Sequence, residues 1–213
     1  MAQTSAESAN AAPDETEDAA PENPAPEKAA AEEQPPKLLL EPASSGRATC
    51  RACAQKIAKG ELRLGERLPN PYTETDTSYW FHLPCAAYRR SKSLLTVIEQ
   101  QLGSAELQAD PLSPALRRVA ELGREHYRLD RITKTELAPT GRARCRHCRE
   151  AIASGSLRFA LTIFQEGRFN PMGFVHATCA EAYFGTKDLL EHALHAAADL
   201  PEEERQKLGT TFT

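Results

Sequence analysis

Aromatic side chains are scarce in this chain: 213 residues hold one tryptophan, five tyrosines and seven phenylalanines. Alanine supplies much of the 40% hydrophobic share, which excludes one large core and leaves room for small ones. No apolar run reaches the roughly 18 residues that a membrane helix needs, so no membrane contact is expected. Basic residues are missing from the start, and the first is Lys28. With no apolar stretch behind them, the opening residues do not read as a secretory signal. A Gly-rich phosphate loop, a dinucleotide fingerprint and a nucleophile elbow are also missing. Nothing outside the repeat described below is long enough for a catalytic domain. The expectation is a protein that is not an enzyme.

Positive charge is lacking at one end only. Residues 1–37 carry nine acids and two lysines, whereas the remainder carries 24 basic and 21 acidic residues. The overall net charge of −4 averages these unlike parts. The Ala/Glu/Pro-rich stretch has almost no bulky apolar side chains to offset the entropy cost of ordering it. A disordered acidic tail is therefore predicted over 1–37, ahead of a mildly basic folded part.

What the chain does have is six cysteines in two sets of three, with none left over. The first set reads Cys50, Cys53, His82, Cys85, and the second Cys145, Cys148, His176, Cys179. In each, two cysteines three apart precede a histidine three residues before the last cysteine. Zinc takes a tetrahedron of thiolate and imidazole ligands. Cys-x2-Cys can aim two sulfurs at one ion from a tight turn, and His-x2-Cys can do so from the first turn of a helix. Four protein ligands leave no open position for water, which predicts two structural zinc ions. Three disulfides or iron–sulfur ligation could use the same cysteines. The missing signal sequence and the histidine placed alike in both sets weigh against them. His147 lies between two ligands, but the tetrahedron is already filled.

The sets belong to a longer repeat of 95 residues, from Cys50 to Cys145. Gly46-Arg47-Ala48 precedes Cys50 as Gly141-Arg142-Ala143 precedes Cys145. Downstream, Leu62-Arg63 matches Leu157-Arg158, and Leu94-Leu95 matches Leu189-Leu190. A period this long means two modules rather than a solenoid. Alternating apolar residues predict strands over 61–68 and 157–164, with second strands over 79–82 and 173–176. Helices are expected after each last ligand, from Ser91 or Ser93, from Ser113 to about Tyr127, over 187–198 behind Thr186, and after Pro201. The fold class is α+β: two small zinc-stabilised modules, each a short antiparallel sheet plus helices. The expected boundaries are 41–127 for the first module, 128–135 for a linker and 136–208 for the second.

Residues 41–90 and 135–179 are each net +3. Arg47, Arg63, Arg142 and Arg158 stand at repeated positions. A permanently charged, bidentate guanidinium suits phosphate oxygens; a lone surface arginine would only keep the fold soluble. Phosphate contacts position a protein without reading sequence.

The Gly-Arg-Ala-x-Cys-x2-Cys, Leu-Arg and His-x2-Cys pattern, with Tyr88 or Tyr183 shortly after, resembles the PARP-type zinc finger. That finger occurs at the N-terminus of poly(ADP-ribose) polymerases and in some DNA ligases and DNA 3′-phosphatases. The resemblance covers roughly 41–122 and 136–208. It implies recognition of nicked or broken duplex DNA, with an apolar loop between the strands stacking on the exposed base. In the second repeat the matching loop offers Arg168, Phe169 and Met172. In the first it offers Tyr72, beside Glu74 and Asp76, whose charge opposes phosphate. The resemblance covers the finger and not the transferase. It implies a sensor or adaptor, with a repair protein as a further partner. A zinc-stabilised protein-interaction module that touches no DNA is the alternative. Zinc thiolates imply a reducing, intracellular setting: the nucleus in a eukaryote, the cytoplasm or nucleoid in a bacterium.

Overall fold

The computed structural model describes residues 36–69 and 75–212. The first module opens with strand β1 (Lys37–Pro42), followed by β2 (Leu62–Pro69) and β3 (Asp76–His82). They form an antiparallel sheet in that order. Helices α1 (Leu83–Arg89), α2 (Ser91–Gln101) and α3 (Pro114–Glu125) cover it. The second module repeats the plan with β4 (Ile132–Leu137), β5 (Leu157–Gln165) and β6 (Arg168–His176). Shorter helices follow: α4 (Ala180–Phe184), α5 (Leu190–His195) and α6 (Glu202–Thr211).

Each sheet buries one face in a small core. Leu64 and Phe81 meet Ile57, Leu94, Leu95 and Ile98 in the first module. Phe159, Leu161 and Val175 meet Ile152, Leu189 and Leu208 in the second. The paired leucines of the repeat thus seat helices on sheets. Ser113 caps α3 as expected, its hydroxyl accepting the N–H of Leu116 at 3.3 Å, and Pro114 suits the first helical turn.

Four sequence expectations change. Residues 128–135 are not a linker. Leu129–Arg131 is a 3-10 turn with Leu129 fully buried, and Ile132 begins β4. A register shift between Ile132 and Lys134 breaks the alternation that would have revealed the strand. Lys37, assigned to the acidic tail, starts β1; the rest of that tail, to residue 35, lies outside the described residues. Thr186 does not cap a helix over 187–198. Its hydroxyl accepts the N–H of Asp188 in a turn, and helix begins only at Leu190. Helix α3 stops at Glu125, two residues before Tyr127.

From Pro36 onward the two modules form one unit. The hairpin β5–β6 turns through Glu166 and Gly167, both at positive φ, in the manner of a two-residue hairpin loop. Its tip reaches the first module. The Arg51 guanidinium donates twice to the Gly167 carbonyl, at 3.0 and 2.6 Å. Gly167 lies so close to the Tyr79 ring that a Cβ there would overlap it. Phe164 meets Tyr79 and Phe81 edge-on at 6.0 and 5.5 Å. Phe169 lies 6.4 Å from Phe81 and beneath Arg89 at 4.3 Å. Arg89 ties the joint further, donating to Thr133 and Thr162 of the second module and to the Asp130 carbonyl.

Candidate metal centres and nucleic-acid interface

The zinc turns have the same backbone in both modules. The N–H of Ala54 closes onto the Cys50 carbonyl at 2.9 Å, and that of Arg149 onto Cys145 at 3.0 Å. Ala54 and Arg149 accordingly take positive φ, 60° and 68°, a strained conformation for side-chain-bearing residues. One-residue bridges join Cys50 to Trp80 and Cys145 to Phe174, pinning each turn to the third strand of its sheet. That strand ends on the histidine ligand. Cys85 follows in the first turn of α1, and Cys179 in a 3-10 turn.

The four donor atoms of each set lie within 4.8 Å of one another. Nδ1 of His82 is 3.4 Å from Cys53 Sγ and 3.8 Å from Cys85 Sγ. Nδ1 of His176 is 3.4 Å from Cys148 Sγ and 3.9 Å from Cys179 Sγ. A tetrahedron with bonds of about 2.0–2.3 Å has edges near these lengths. The far ring nitrogen, Nε2, is 3.2 Å from the Lys56 carbonyl in one site and from the Ala151 carbonyl in the other. Donation there leaves Nδ1 unprotonated and aimed inward, the outer-sphere partner that a metal-bound histidine uses.

The thiols also respond to crowding. Hydrogen bonding between Cys85 and Cys50 pulls Cys50 down and pushes Cys85 up. At Cys145, burial pushes upward, but the N–H groups of His176, Cys148 and His147 outweigh it. Burial and then Cys148 push Cys179 up. A divalent cation relieves that conflict by holding all three sulfurs as thiolates. The chain carries two Cys3His zinc sites.

The repeated arginines divide into two kinds. Arg63 and Arg158 lie elsewhere than a phosphate contact needs. They are 6% and 5% exposed. Each is clamped between a glutamate of the first strand and a ring of the third. Arg63 pairs with Glu41 at 2.8 Å and stacks 3.5 Å over Trp80. Arg158 donates to Glu136 at 2.9 and 2.6 Å and stacks 3.6 Å over Phe174. These arginines knit the three strands together. Arg158→Lys keeps the charge but loses the flat fork. It should cost about 1–2 kcal/mol, read as a lower midpoint in thermal unfolding with both zinc ions retained. Glu41 and Glu136 stand at the repeat distance of 95 residues, five positions before Gly46 and Gly141, so the clamp could have been found by carrying the repeat back to them.

Arg47 and Arg142 are of the other kind. Both are exposed at the zinc turns, and neither pairs with a carboxylate among the described residues. Arg168 is exposed on β6. Phe169 is half-buried in the joint rather than presented for stacking, its ring held among Phe81, Phe164 and Arg89. Met172 packs on the second core, and its carbonyl accepts from Arg146 at 2.8 Å. Tyr72 and Glu74 lie outside the described residues. Arg51, which locks the modules together, was missed because nothing local marks a residue whose partner is 116 positions away.

Residues 41–118 match the family described as "Poly(ADP-ribose) polymerase and DNA-Ligase Zn-finger region". This segment is similar to PARP-type zinc fingers. The second module repeats its ligand set, zinc turn and arginine clamp. The chain is similar to poly [ADP-ribose] polymerase 1 of Oryza sativa subsp. japonica, 24% identical over 83% of this chain and 19% of the relative. It is 28% identical to the Gallus gallus protein of the same name over 55% of this chain and 13% of that one. It is 33% identical to polynucleotide 3′-phosphatase ZDP of Arabidopsis thaliana, over 42% of this chain and 12% of that one. The chain spans less than a fifth of the length of these relatives. The PARP-type finger, not a catalytic region, is what the family match covers.

Proposed function

We propose that this protein binds DNA at strand breaks, through backbone phosphates and without reading sequence, as a sensor or adaptor. The observation that carries the reading is the pair of exposed arginines, Arg47 and Arg142. They hold the same place beside both zinc turns and have no carboxylate partner among the described residues. The resemblance to proteins named as poly(ADP-ribose) polymerases and a polynucleotide 3′-phosphatase supports the choice of broken DNA. Preference for a break follows from mechanics. Two basic turns fixed in one body require the duplex to fit them, and bending an intact duplex costs about 1–6 kcal/mol. A nick removes most of that cost. A reducing, intracellular compartment is part of this reading, because thiolate ligands must stay reduced: the nucleus in a eukaryote, the cytoplasm or nucleoid in a bacterium. A repair protein working on the same break is the further partner. Neither ADP-ribose transfer nor phosphatase chemistry is part of this reading.

The test is fluorescence anisotropy of the zinc-loaded chain on a nicked duplex and on the same duplex intact, over a salt series. Tighter binding to the nick is expected, weakening steeply with salt. Arg142→Ala should lower the salt slope by about 0.9 on duplex DNA. Equal, weak and salt-insensitive binding would sink the proposal. The docking of Phe169 into the joint between the modules favours the second reading, a zinc-stabilised scaffold for another protein, and that result would leave it standing.

A further inference from the structure

Most basic side chains on the helices and outer strands are matched by acids: Arg117 by Asp110, Arg124 by Glu99, Lys134 by Asp199. Lys92, Arg128 and Arg131 are not. Among the described residues, none of the three pairs with a carboxylate. They meet at the joint between the modules, around Tyr127, which is 59% exposed. The Arg131 and Arg128 guanidinium carbons lie 5.1 and 5.9 Å from the Tyr127 ring. Arg128, by hydrogen bond and charge, and then Arg131 hold the phenol below its usual range.

Beside Tyr127 a cleft of about 280 Å³ opens between the modules, lined by Lys92, Ser93, Arg131, Thr162 and Phe164 among others. This is close to the low end of small-ligand pockets, which run from roughly 300 to 1,000 Å³. The one carboxylate lining it, Asp130, is turned onto Ser91, accepting from its N–H at 2.9 Å and its hydroxyl at 2.5 Å. Arg90 in the wall is spent on Glu66, with two bonds of 2.8 and 2.9 Å. Arg89, also in the wall, donates only to neutral oxygens. The cleft is therefore cationic and has an aromatic ring at its edge. This pairing of charge and π-face is how single strands are held without sequence preference.

We infer that the joint binds a single-stranded stretch of DNA, with a base stacked on Tyr127 and adjoining phosphates against Lys92 and Arg131. The inference rests on the DNA reading above and gives it a stacking residue in place of Phe169. A broken duplex supplies such a stretch wherever its end frays.

The experiment uses the full zinc-loaded chain, an oligothymidylate of about 12 nucleotides, and anisotropy over a salt series. Tyr127→Ala should weaken binding about tenfold and Tyr127→Phe should restore it. Lys92→Glu should lower the salt slope by about 0.7. Both side chains are on the surface, so zinc content and melting should match the unaltered chain. Failure to bind the oligonucleotide, or binding unchanged by both substitutions, overturns the inference. So does an oligoglutamate peptide that binds in a Tyr127-dependent way where oligothymidylate does not. Nick preference that survives both substitutions removes the joint site and keeps the break reading. Tyr127-dependent binding without nick preference does the reverse.

Discussion

Stripping the zinc should unfold both modules. Each core contains only a handful of large side chains fully removed from water, such as Leu64, Phe81 and Leu94 in the first and Phe159, Leu161 and Leu189 in the second. Cores of that size leave little margin. Structural zinc contributes about 10–16 kcal/mol of apparent binding energy in finger peptides near pH 7, as much as or more than the whole stability of an ordinary domain, about 5–15 kcal/mol. Without the ion, three sulfurs and a histidine converge with nothing to hold them, and the strained turns at Ala54 and Arg149 have no ligand to organise around. Excess chelator should therefore abolish the cooperative thermal transition and collapse the far-ultraviolet circular dichroism of both sheets. A sharper version is Cys148→Ala. Cys148 is exposed, so its loss costs no packing and reports the metal alone. One zinc per chain by mass spectrometry, together with a melted second module, is the expected result. Acidification acts in the same direction, since protonated thiols and imidazole release the ion. A native spectrum and unchanged midpoint in chelator would mean that the cysteines serve some other purpose.

The zinc sites were legible because their information is local. Cys-x2-Cys and His-x2-Cys each lie within one turn, and the repeat of 95 residues printed the pattern twice. The cap at Ser113 and the leucine pairs were legible for the same reason. The edge strands β1 and β4 were not. A strand reveals itself by alternation, and β4 carries a bulge, while the apolar residues of β1 run consecutively as Leu38-Leu39-Leu40. Arg63 and Arg158 looked like surface cations because arginine is so rarely buried. What makes them interior is a glutamate 22 positions upstream and a ring on the opposite strand. Phe169 shows the limit most clearly. An aromatic in a hairpin, near Arg168 and Pro171, has the composition of a contact loop, yet two of its partners, Phe81 and Arg89, lie in the other module.

That placement leads to the second large effect. Phe169→Ala should loosen the joint between the modules and, with it, any discrimination between nicked and intact DNA. The ring is half-buried, touches Phe81 and Phe164, and carries the Arg89 guanidinium on its face. Removing a fully buried phenylalanine costs about 3–5 kcal/mol; partial burial here brings the expectation nearer 2 kcal/mol. In a chain of this size that lowers the thermal midpoint by about 4–8 °C. Zinc content should not change, because every ligand belongs to one module alone. Gly167→Val attacks the same joint from the other side. It places a side chain where the Tyr79 ring lies and where φ is +78°, so either the ring leaves or the hairpin tip does. The two variants share no altered atom, and agreement between them isolates docking as the cause. If fixed spacing of the Arg47 and Arg142 turns is what favours a bendable duplex, both variants should bind intact and nicked DNA with nearly equal affinity. Salt dependence should survive, since Arg47 and Arg142 are untouched. Retained nick preference in two undocked, zinc-loaded variants would show that each finger recognises a break by itself.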